Sequence, residues 1–207
     1  MPSFGQARRA GSSPGADKMS TFPLGQMRVK RSGYGAMQLA GPYAFGPPPD
    51  RASAIGVLRA AAAARVDHID TAQYYGPGVV NDLIREALYP YPDGLAIVSK
   101  VAVRRDDSGA VLPFDDPDQL RDGIEDNLRS LRLGQLAAVN LRLPGDGRVG
   151  PRFDDQLAVM VAARDEGLIA AWPAEPRPHQ PCGRPGGRPP RYHTGPGRTP
   201  VAAAASP

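Results

Sequence analysis

Hydrophobic residues between Met19 and Ala171 follow two spacings that alternate along the chain. Short runs rich in apolar and β-branched residues are separated by longer stretches in which apolar residues recur three or four positions apart. The short runs predict strands and the longer stretches predict helices. Their alternation is typical of repeated βα units around a parallel sheet, and it predicts about four and a half such units.

The predicted barrel strands each begin a unit. They cover residues 34–38, 66–70, 95–100 and 136–143, with an incomplete fifth strand at 168–171. A small hairpin is predicted before them, at residues 22–30, because Met27 and Val29 alternate with Arg28 and Lys30. We expect this hairpin to precede the barrel and not to form part of its wall.

The predicted helices are marked by polar residues at their start. Asp116 can accept hydrogen bonds from free backbone amides, and Pro117 suits a first helical turn. An apolar face then follows at Leu120, Ile124, Leu128 and Leu131. Further helices are predicted from Asp50 to about residue 65, from about residue 79 with Leu83, Ile84 and Leu88 on its apolar face, and over 154–166.

Successive βα units leave two architectures open, a doubly wound open sheet and a closed eight-stranded barrel. The first is expected to carry a G-x-G-x-x-G loop before a helix. Residues 33–38, Gly-Tyr-Gly-Ala-Met-Gln, lack the third glycine, so this fingerprint is missing. A barrel needs roughly 250 residues, of which the patterned stretch supplies about three fifths. We therefore predict an α/β fold of the (β/α)8 TIM-barrel class that is incomplete.

Composition changes sharply at residue 172. Ten of the 36 residues from Trp172 to Pro207 are proline, and few are branched and apolar. Such a sequence cannot bury enough surface to offset the entropy of ordering it. We therefore predict three segments: a disordered extension at 1–18, a partial barrel at 19–171 and a disordered Pro/Arg/Gly-rich tail at 172–207.

Charge and cysteine content limit the partners. The tail holds five arginines and one acid, which accounts for the excess of the chain's 25 basic over its 21 acidic residues. Scattered tail arginines predict weak, salt-sensitive attraction to polyanions and no specific nucleic-acid site. The single cysteine, Cys182, excludes an intramolecular disulfide and gives no metal-ligand spacing, which fits a reducing cytoplasm. No signal-like or membrane-spanning apolar run occurs, so we expect a soluble cytoplasmic protein.

Candidate chemistry lies where the predicted strands end. Asp70 and Tyr75 follow the second strand, Lys100 closes the third, and Asn140 lies in the fourth. The carboxyl ends of parallel strands meet at one mouth, so these side chains are expected to converge. A lysine beside a tyrosine lowers the phenol pKa, and a carboxylate keeps the lysine charged, which favours proton transfer to a carbonyl oxygen. Taken singly, Asp70 could be a cap and Tyr75 a loop aromatic.

The motif D-x-A-x-x-Y-G at residues 70–76, with a lysine closing the next strand, resembles the aldo-keto reductases. The resemblance runs from about residue 22 to 169. Segments 75–77, 85–90 and 139–142 are similar to a bacterial branch of oxidoreductases or pyridoxal-type dehydrogenases. Residues 33–41 resemble the family's first strand, whose backbone lies near the nicotinamide.

The resemblance implies an NADP cofactor and a small aldehyde or ketone substrate. Tyr75 would be the general acid, Lys100 its activator and Asp70 the partner of Lys100. Asn140 stands where most active members have histidine; its amide can hydrogen-bond a carbonyl but cannot donate a proton as imidazolium does. The resemblance also implies cofactor contacts from the residues Gly35, Ala36, Met37 and Asp70.

The family pattern stops near residue 169, and the abrupt change at Ala171-Trp172-Pro173 is what a shifted reading frame in a GC-rich gene would produce. We therefore expect impaired activity, and self-association through exposed barrel edges. An alternative is a non-catalytic binding or regulatory fragment of such a barrel. A third, weaker hypothesis is a polyanion-binding protein that acts through its basic tail.

Overall fold

The structure is a computed structural model, and it describes residues 21–143 and 151–171. Its strands are β1 Thr21–Leu24, β2 Met27–Lys30, β3 Tyr34–Gly35, β4 His68–Asp70, β5 Ala96–Arg105, β6 Val111–Phe114 and β7 Ala138–Leu141. Its α-helices are α1 Arg51–Ala63, α2 Val79–Leu88, α3 Pro117–Leu131 and α4 Phe153–Asp165. Two short 3-10 turns, Ala36–Leu39 and Pro42–Ala44, connect β3 to α1.

The parallel strands follow one another in space in the order in which they occur in the chain. β3 pairs with β4, β4 with β5, and β5 with β7, all in parallel. A parallel bridge between Leu136 and Ile169 continues this order towards the next unit. A doubly wound sheet reverses its strand order at a switch point, whereas a barrel wall adds each new strand on the same side. The observed order is that of a barrel wall.

The helices cover one side of this wall and form the main core. Consecutive helices pack against one another, α1 on α2, α2 on α3 and α3 on α4. Their fully buried side chains include Leu58, Leu83, Ile84, Leu120, Ile124, Leu131 and Met160. The predicted apolar faces of α2 and α3 are therefore confirmed.

We call the side of the sheet opposite the helices the inner face. The N-terminal hairpin covers the amino-terminal end of this face. β1 and β2 are antiparallel, with Phe22 opposite Val29. Val29 packs with Ala96 and Ala137, while Leu24 packs on Val98 and its neighbours. The predicted hairpin is therefore confirmed, and its apolar side chains seal the base of the partial barrel.

Helix starts agree with the sequence. The Asp50 carboxylate accepts a hydrogen bond from the Ser53 backbone amide at 3.0 Å, so α1 begins where the cap was expected. Pro117 occupies the first position of α3, with Asp116 as the residue before it. α4 begins at Phe153, one residue before the predicted start, and ends at Asp165.

All four predictions of the barrel strands were wrong in extent. β4 and β7, at His68–Asp70 and Ala138–Leu141, are shorter than the predicted 66–70 and 136–143. Within the described residues, the predicted fifth strand at 168–171 forms a single bridge at Ile169. β3 ends at Gly35 and not at residue 38, because the chain turns at Ala36 so that Ala36 and Leu39 enter the core. β5 continues past Lys100 to Arg105 and turns back as β6, which the sequence did not predict. The Asp106 carboxylate fixes this turn by accepting hydrogen bonds from the amides of Ser108 and Ala110, both at 2.9 Å.

The predicted disordered segments, 1–18 and 172–207, lie outside the described residues, so the three-segment division remains a prediction. The described part of the chain contains no helix that is both long enough and apolar enough to span a bilayer.

Candidate active site

Strand register brings the predicted polar residues to one edge of the inner face. Asp70 ends β4 and lies opposite Val98 of β5, while Lys100, two residues further on, lies opposite Asn140 of β7. Side chains two residues apart on a strand share a face, so Lys100 points to the same side as Val98. Asp70, Lys100 and Asn140 are therefore neighbours on three adjacent strands, as expected, towards the carboxyl end of the region in which these strands pair in parallel.

Asp70 and Lys100 form an ion pair. The Lys100 Nζ contacts Asp70 Oδ1 and also donates a hydrogen bond to the Thr71 carbonyl oxygen at 3.1 Å. The Lys100 side chain is 21% exposed and that of Asp70 is 45% exposed. The lysine is thus the more deeply buried partner, and both of its contacts lie at the end of β4.

Burial, together with a smaller contribution from the positive charge of Arg142, lowers the pKa of Lys100 to about 8. The Asp70 carboxylate acts in the opposite direction, since it stabilises the ammonium form. The Lys100 ammonium group can therefore release a proton much nearer to neutral pH than a lysine in water, whose pKa is about 10.4.

Tyr75 lies beside this pair. Its side chain is buried, and the Lys100 Nζ lies 5.2 Å from the centre of its ring. Burial raises the pKa of Tyr75, Tyr74 raises it further, and the charge of Arg142 opposes the rise. The sequence had led us to expect a lowered pKa, and that direction was wrong. The cost of placing a phenolate in a buried position exceeds the stabilisation from the nearby cations.

The loop after β4 holds Tyr75 through its backbone. The Tyr75 amide donates to the Ala72 carbonyl at 3.0 Å, and the Gly76 amide donates to the Ala44 carbonyl at 3.0 Å. Gly76 has a φ of +66°, and a Cβ added there would lie 2.7 Å from the Gly46 carbonyl oxygen. Only glycine fits this position, which explains why the motif places glycine directly after the tyrosine.

A cleft of about 600 Å³ opens beside Tyr75. Its wall is formed by the loops at the carboxyl ends of β3 and β4, by the β5–β6 hairpin and by the residue after β7. The lining side chains include Met37, Tyr43, Tyr74, Tyr75, Arg105, Val111 and Arg142. Of the four predicted catalytic residues, Tyr75 is the one that forms part of this wall.

The four residues expected to contact a cofactor are placed differently. Gly35 lies opposite Asp70 in the sheet, and an added Cβ would meet no atom within 4 Å, so open space lies over its backbone. Met37 is exposed and lines the cleft. The Ala36 side chain, in contrast, is fully buried in the core, so only its backbone can face a ligand. Asn140 is exposed on the inner face.

Sequence reasoning missed a buried polar network on the helix side of the site. Ser99 Oγ donates to Asn127 Oδ1 at 2.6 Å, and Thr71 Oγ1 donates to Asn81 Oδ1 at 2.9 Å. Asn81 Nδ2 joins the two halves by donating to Asn127 Oδ1 at 3.1 Å. All four residues are fully buried. Thr71 and Ser99 directly adjoin Asp70 and Lys100, so the network holds the strand ends that carry the ion pair.

Arg142 was also missed as a site residue. Its Nη1 donates to the Tyr74 hydroxyl at 3.2 Å, and its guanidinium carbon lies 5.8 Å from the centre of the Tyr74 ring. The ring of Tyr74 in turn meets the ring of Tyr75 edge to face, 5.2 Å between centres. The position of Arg142 two residues after Asn140 on the same strand end was the available signal.

Comparisons with known proteins identify the family of this chain. Residues 32–173 match the model of the aldo/keto reductase family. Pyridoxine 4-dehydrogenase of Escherichia coli K12 is 51% identical over 154 residues, which are 72% of this chain and 54% of that protein. The chain spans about half the length of the curated relatives that it matches.

Solved structures show the same fold. Glycerol dehydrogenase AKR11B4 from Gluconobacter oxydans matches with a TM-score of 0.62 and 23% identity, over 73% of this chain and 47% of that one. An aldo/keto reductase from Klebsiella pneumoniae, solved with NADP and acetate, matches with a TM-score of 0.56 and 23% identity, over 74% of this chain and 48% of that one. The expected fold class, an incomplete (β/α)8 barrel, is confirmed. The chain belongs to the aldo/keto reductase family.

Proposed function

We propose that this chain binds NADP at the inner face of its partial barrel and interconverts an aldehyde or ketone with the corresponding alcohol. The observation that carries the proposal is the Asp70–Lys100 ion pair on adjacent parallel strands, which lies beside the buried ring of Tyr75. A charged pair in this position, next to a cleft, is the arrangement that proton transfer to a carbonyl oxygen requires.

The residues around the pair fit the nicotinamide end of the cofactor. Open space lies over the backbone of Gly35, directly beside Asp70, and exposed Met37 adjoins it. A flat ring can approach a glycine backbone closely, since no side chain intervenes. Gly35, Met37 and Asp70 would hold that ring. Bound in its reduced form, the cofactor would supply a hydride to the carbonyl carbon of the substrate.

Tyr75 is the proton donor in this proposal. Burial raises its pKa, so the phenol keeps its proton at neutral pH and can give it to the carbonyl oxygen as the alcohol forms. The ammonium group of Lys100, 5.2 Å from the ring centre, then stabilises the phenolate. Asp70 holds Lys100 in its charged form for that purpose. Asn140 would orient the carbonyl through its amide, without transferring a proton.

The relatives support the class of reaction. The Escherichia coli relative at 51% identity is named as a dehydrogenase of pyridoxine, and a structural neighbour was solved with NADP. A pyridoxine dehydrogenase interconverts an alcohol and an aldehyde, which is the chemistry that Tyr75 and Lys100 support.

The test uses the full 207-residue chain. We expect NADPH to bind saturably, as measured by nicotinamide fluorescence, and to be oxidised in the presence of pyridoxal. Tyr75→Phe should bind NADPH as the wild type does but lower the turnover number about 10²- to 10⁴-fold, because it removes the donated proton. Tyr89→Phe, at a half-exposed tyrosine outside the site, is the matched control and should leave turnover unchanged.

Folded chain that shows no saturable NADPH binding, as judged alongside its circular dichroism spectrum, would contradict the proposal. Equal turnover in Tyr75→Phe and the wild type would contradict the role of Tyr75 while leaving cofactor binding intact.

A non-catalytic binding module is the second candidate, and Asn140 favours it because an amide cannot act as a general acid. This candidate predicts NADPH binding without turnover in the wild type. Asn140→His then tests whether the wild type lacks a general acid at this position. Turnover that appears in this variant and not in the wild type would identify the wild-type chain as a binding module.

A further inference from the structure

The cleft beside Tyr75 is positively charged. Arg105 and Arg142 both line it, and its wall contains no aspartate or glutamate among the described residues. A cleft lined by charges of one sign concentrates ligands of the opposite sign, because the protein walls focus the field. The open space next to the proposed proton donor therefore favours a negatively charged ligand.

The two arginines differ in how their donors are used. Arg105 Nη1 donates to the Gly109 carbonyl at 2.6 Å, and Nη2 donates to the Tyr43 carbonyl at 2.9 Å. These bonds tie the β5–β6 turn to the loop after β3, so Arg105 shapes the wall. It contributes charge to the cleft, while its guanidinium edge is occupied by the protein backbone.

Arg142 is exposed and lies at the mouth, two residues past Asn140. Among the described residues, its guanidinium group makes one side-chain hydrogen bond, from Nη1 to the Tyr74 hydroxyl at 3.2 Å. A guanidinium group carries five N–H donors in a planar fork, a shape that suits the two oxygens of a carboxylate. Stacking over the Tyr74 ring holds this fork in place, since the ring centre lies 5.8 Å from its carbon.

Tyr74 connects this fork to the proton donor. Its buried ring touches the Tyr75 ring edge to face, so one aromatic ring separates the guanidinium group from the phenol of Tyr75. The charge of Arg142 also acts on the reacting groups, since it lowers the pKa of both Tyr75 and Lys100. A small substrate whose carbonyl oxygen meets Tyr75 has its far end within the reach of Arg142.

We propose that Arg142 selects carbonyl substrates that carry a carboxylate at the end opposite the reacting carbonyl. The inference rests on the proposed reductase function and names the substrate class of the same site. Arg142 binds the anionic oxygens, Tyr74 holds Arg142, and Tyr75 faces the carbonyl.

A purely structural role for Arg142 makes a different prediction. If Arg142 served only to pack on Tyr74, then its removal would affect charged and neutral substrates equally. Two aldehydes of nearly the same shape separate these cases: 4-formylbenzoate, which carries a carboxylate, and its methyl ester, which is neutral.

The experiment has two measurements on the full chain. Binding of each aldehyde without cofactor is followed by saturation-transfer NMR, and kcat/KM for each is measured with NADPH. We expect the kcat/KM of the wild type to be about 10- to 100-fold higher for 4-formylbenzoate than for its methyl ester. This is the effect expected from one well-formed pair of charged hydrogen bonds. Arg142→Gln should abolish this preference, so that 4-formylbenzoate and its methyl ester are reduced with equal kcat/KM.

Two further variants control for folding and for the aromatic contact. Arg142→Lys keeps the charge but loses the planar fork, so it should retain part of the preference. Tyr74→Phe keeps the ring under the guanidinium group and removes only its hydroxyl, so it should retain most of it. Folding of each variant is checked by circular dichroism.

The outcomes separate the inference from the proposed function. Equal kcat/KM for the acid and the ester in the wild type would overturn the inference and leave the reductase function standing. Binding of 4-formylbenzoate that is lost in Arg142→Gln, without any NADPH oxidation, would support the anion site and contradict the reductase function. No binding of 4-formylbenzoate to the folded wild type would overturn the inference whatever the turnover.

Discussion

The two faces of the parallel sheet differ in how completely the protein covers them. On the helix side, Ile69, Ile97, Ser99 and Val139 are at most 2% exposed. On the inner face the cover weakens along the strands, from Ala96 at 1% under the hairpin to exposed Asn140 at the carboxyl end. Since alternate residues of a strand point to opposite faces, one strand supplies both a core and a site.

Adjacent residues on β5 show what this difference means for polar groups. Ser99 points to the helix side, where it is fully buried and donates to Asn127. Lys100 points to the inner face, where it is partly exposed and pairs with Asp70. A polar group without access to water must be satisfied by the protein, whereas one at an open mouth can exchange its partner for a ligand. The helix side is therefore expected to stabilise the fold and the inner face to carry chemistry.

The largest expected loss of stability follows from breaking the buried network at its centre. Asn127 accepts from Ser99 and Asn81 and donates to the Gly123 carbonyl at 2.7 Å. Asn127→Ala leaves these groups without their partner inside the core, so we expect the free energy of unfolding to fall by about 2 to 4 kcal/mol. Urea denaturation measures it.

The matched control is the same substitution on the inner face. Asn140 is exposed, so Asn140→Ala should change the free energy of unfolding by less than about 0.5 kcal/mol. If the two variants lost equal stability, the distinction between the faces would be wrong.

Substituting one valine by alanine on each face of the sheet compares how well the two faces are packed. Val139 is fully buried against the helices, whereas Val98 lies on the inner face beside Ala138, Ala171 and Leu24. Val139→Ala should cost about 2 to 3 kcal/mol, from lost transfer free energy and a closed cavity. Val98→Ala should cost roughly 1 kcal/mol, since its neighbours can move into the open side.

Urea midpoints with unchanged slopes would report both valine effects directly. A larger loss for Val98→Ala would show that the inner face is covered in solution, as self-association through the barrel edges would cover it. Analytical ultracentrifugation of the wild type would then show whether the chain self-associates.

Local patterns predicted the helices well because their signals lie within one segment. The apolar face of α3 recurs every three or four residues after Pro117, so neither its start nor its buried side depends on distant parts of the chain. The β1–β2 hairpin is likewise encoded by the alternation within residues 27–30. The β5–β6 hairpin was missed because the apolar run through Lys100 was interpreted as ending at the site.

The site was predictable where a short motif fixes it and not where distant residues meet. Asp70, Tyr75 and Lys100 follow from strand ends and from one motif. The network of Thr71, Asn81, Ser99 and Asn127 joins residues up to 46 positions apart, and nothing local signals those contacts. The predicted direction of the Tyr75 pKa shift was wrong for the same reason. The burial of Tyr75 depends on the loop after β3, which is distant in sequence and contacts the loop of Tyr75.

Lys100 on the inner face should make the stability of the fold depend on pH. Its pKa is about 8 in the folded chain and about 10.5 in the unfolded chain, so between these values the unfolded chain holds a proton that the folded chain has lost. The free energy of unfolding should therefore rise as the pH increases from 8 to 10. Lys100→Met should lack this rise when its urea midpoints are compared with those of the wild type, and a parallel rise in both would contradict the assignment.

The smallest expected effects separate the charges that act on Lys100. Asp70 stabilises its ammonium form and Arg142 destabilises it, so Asp70→Asn should lower the Lys100 pKa further and Arg142→Gln should raise it. Because Asp70 is 45% exposed and water screens its charge, we expect shifts of less than about one pKa unit. NMR titration of ¹³C-labelled lysine, with Lys100→Met to assign the signal, measures both. An unchanged Lys100 pKa in both variants would mean that burial alone sets it, and shifts in the same direction would contradict the opposite signs assigned to the two charges.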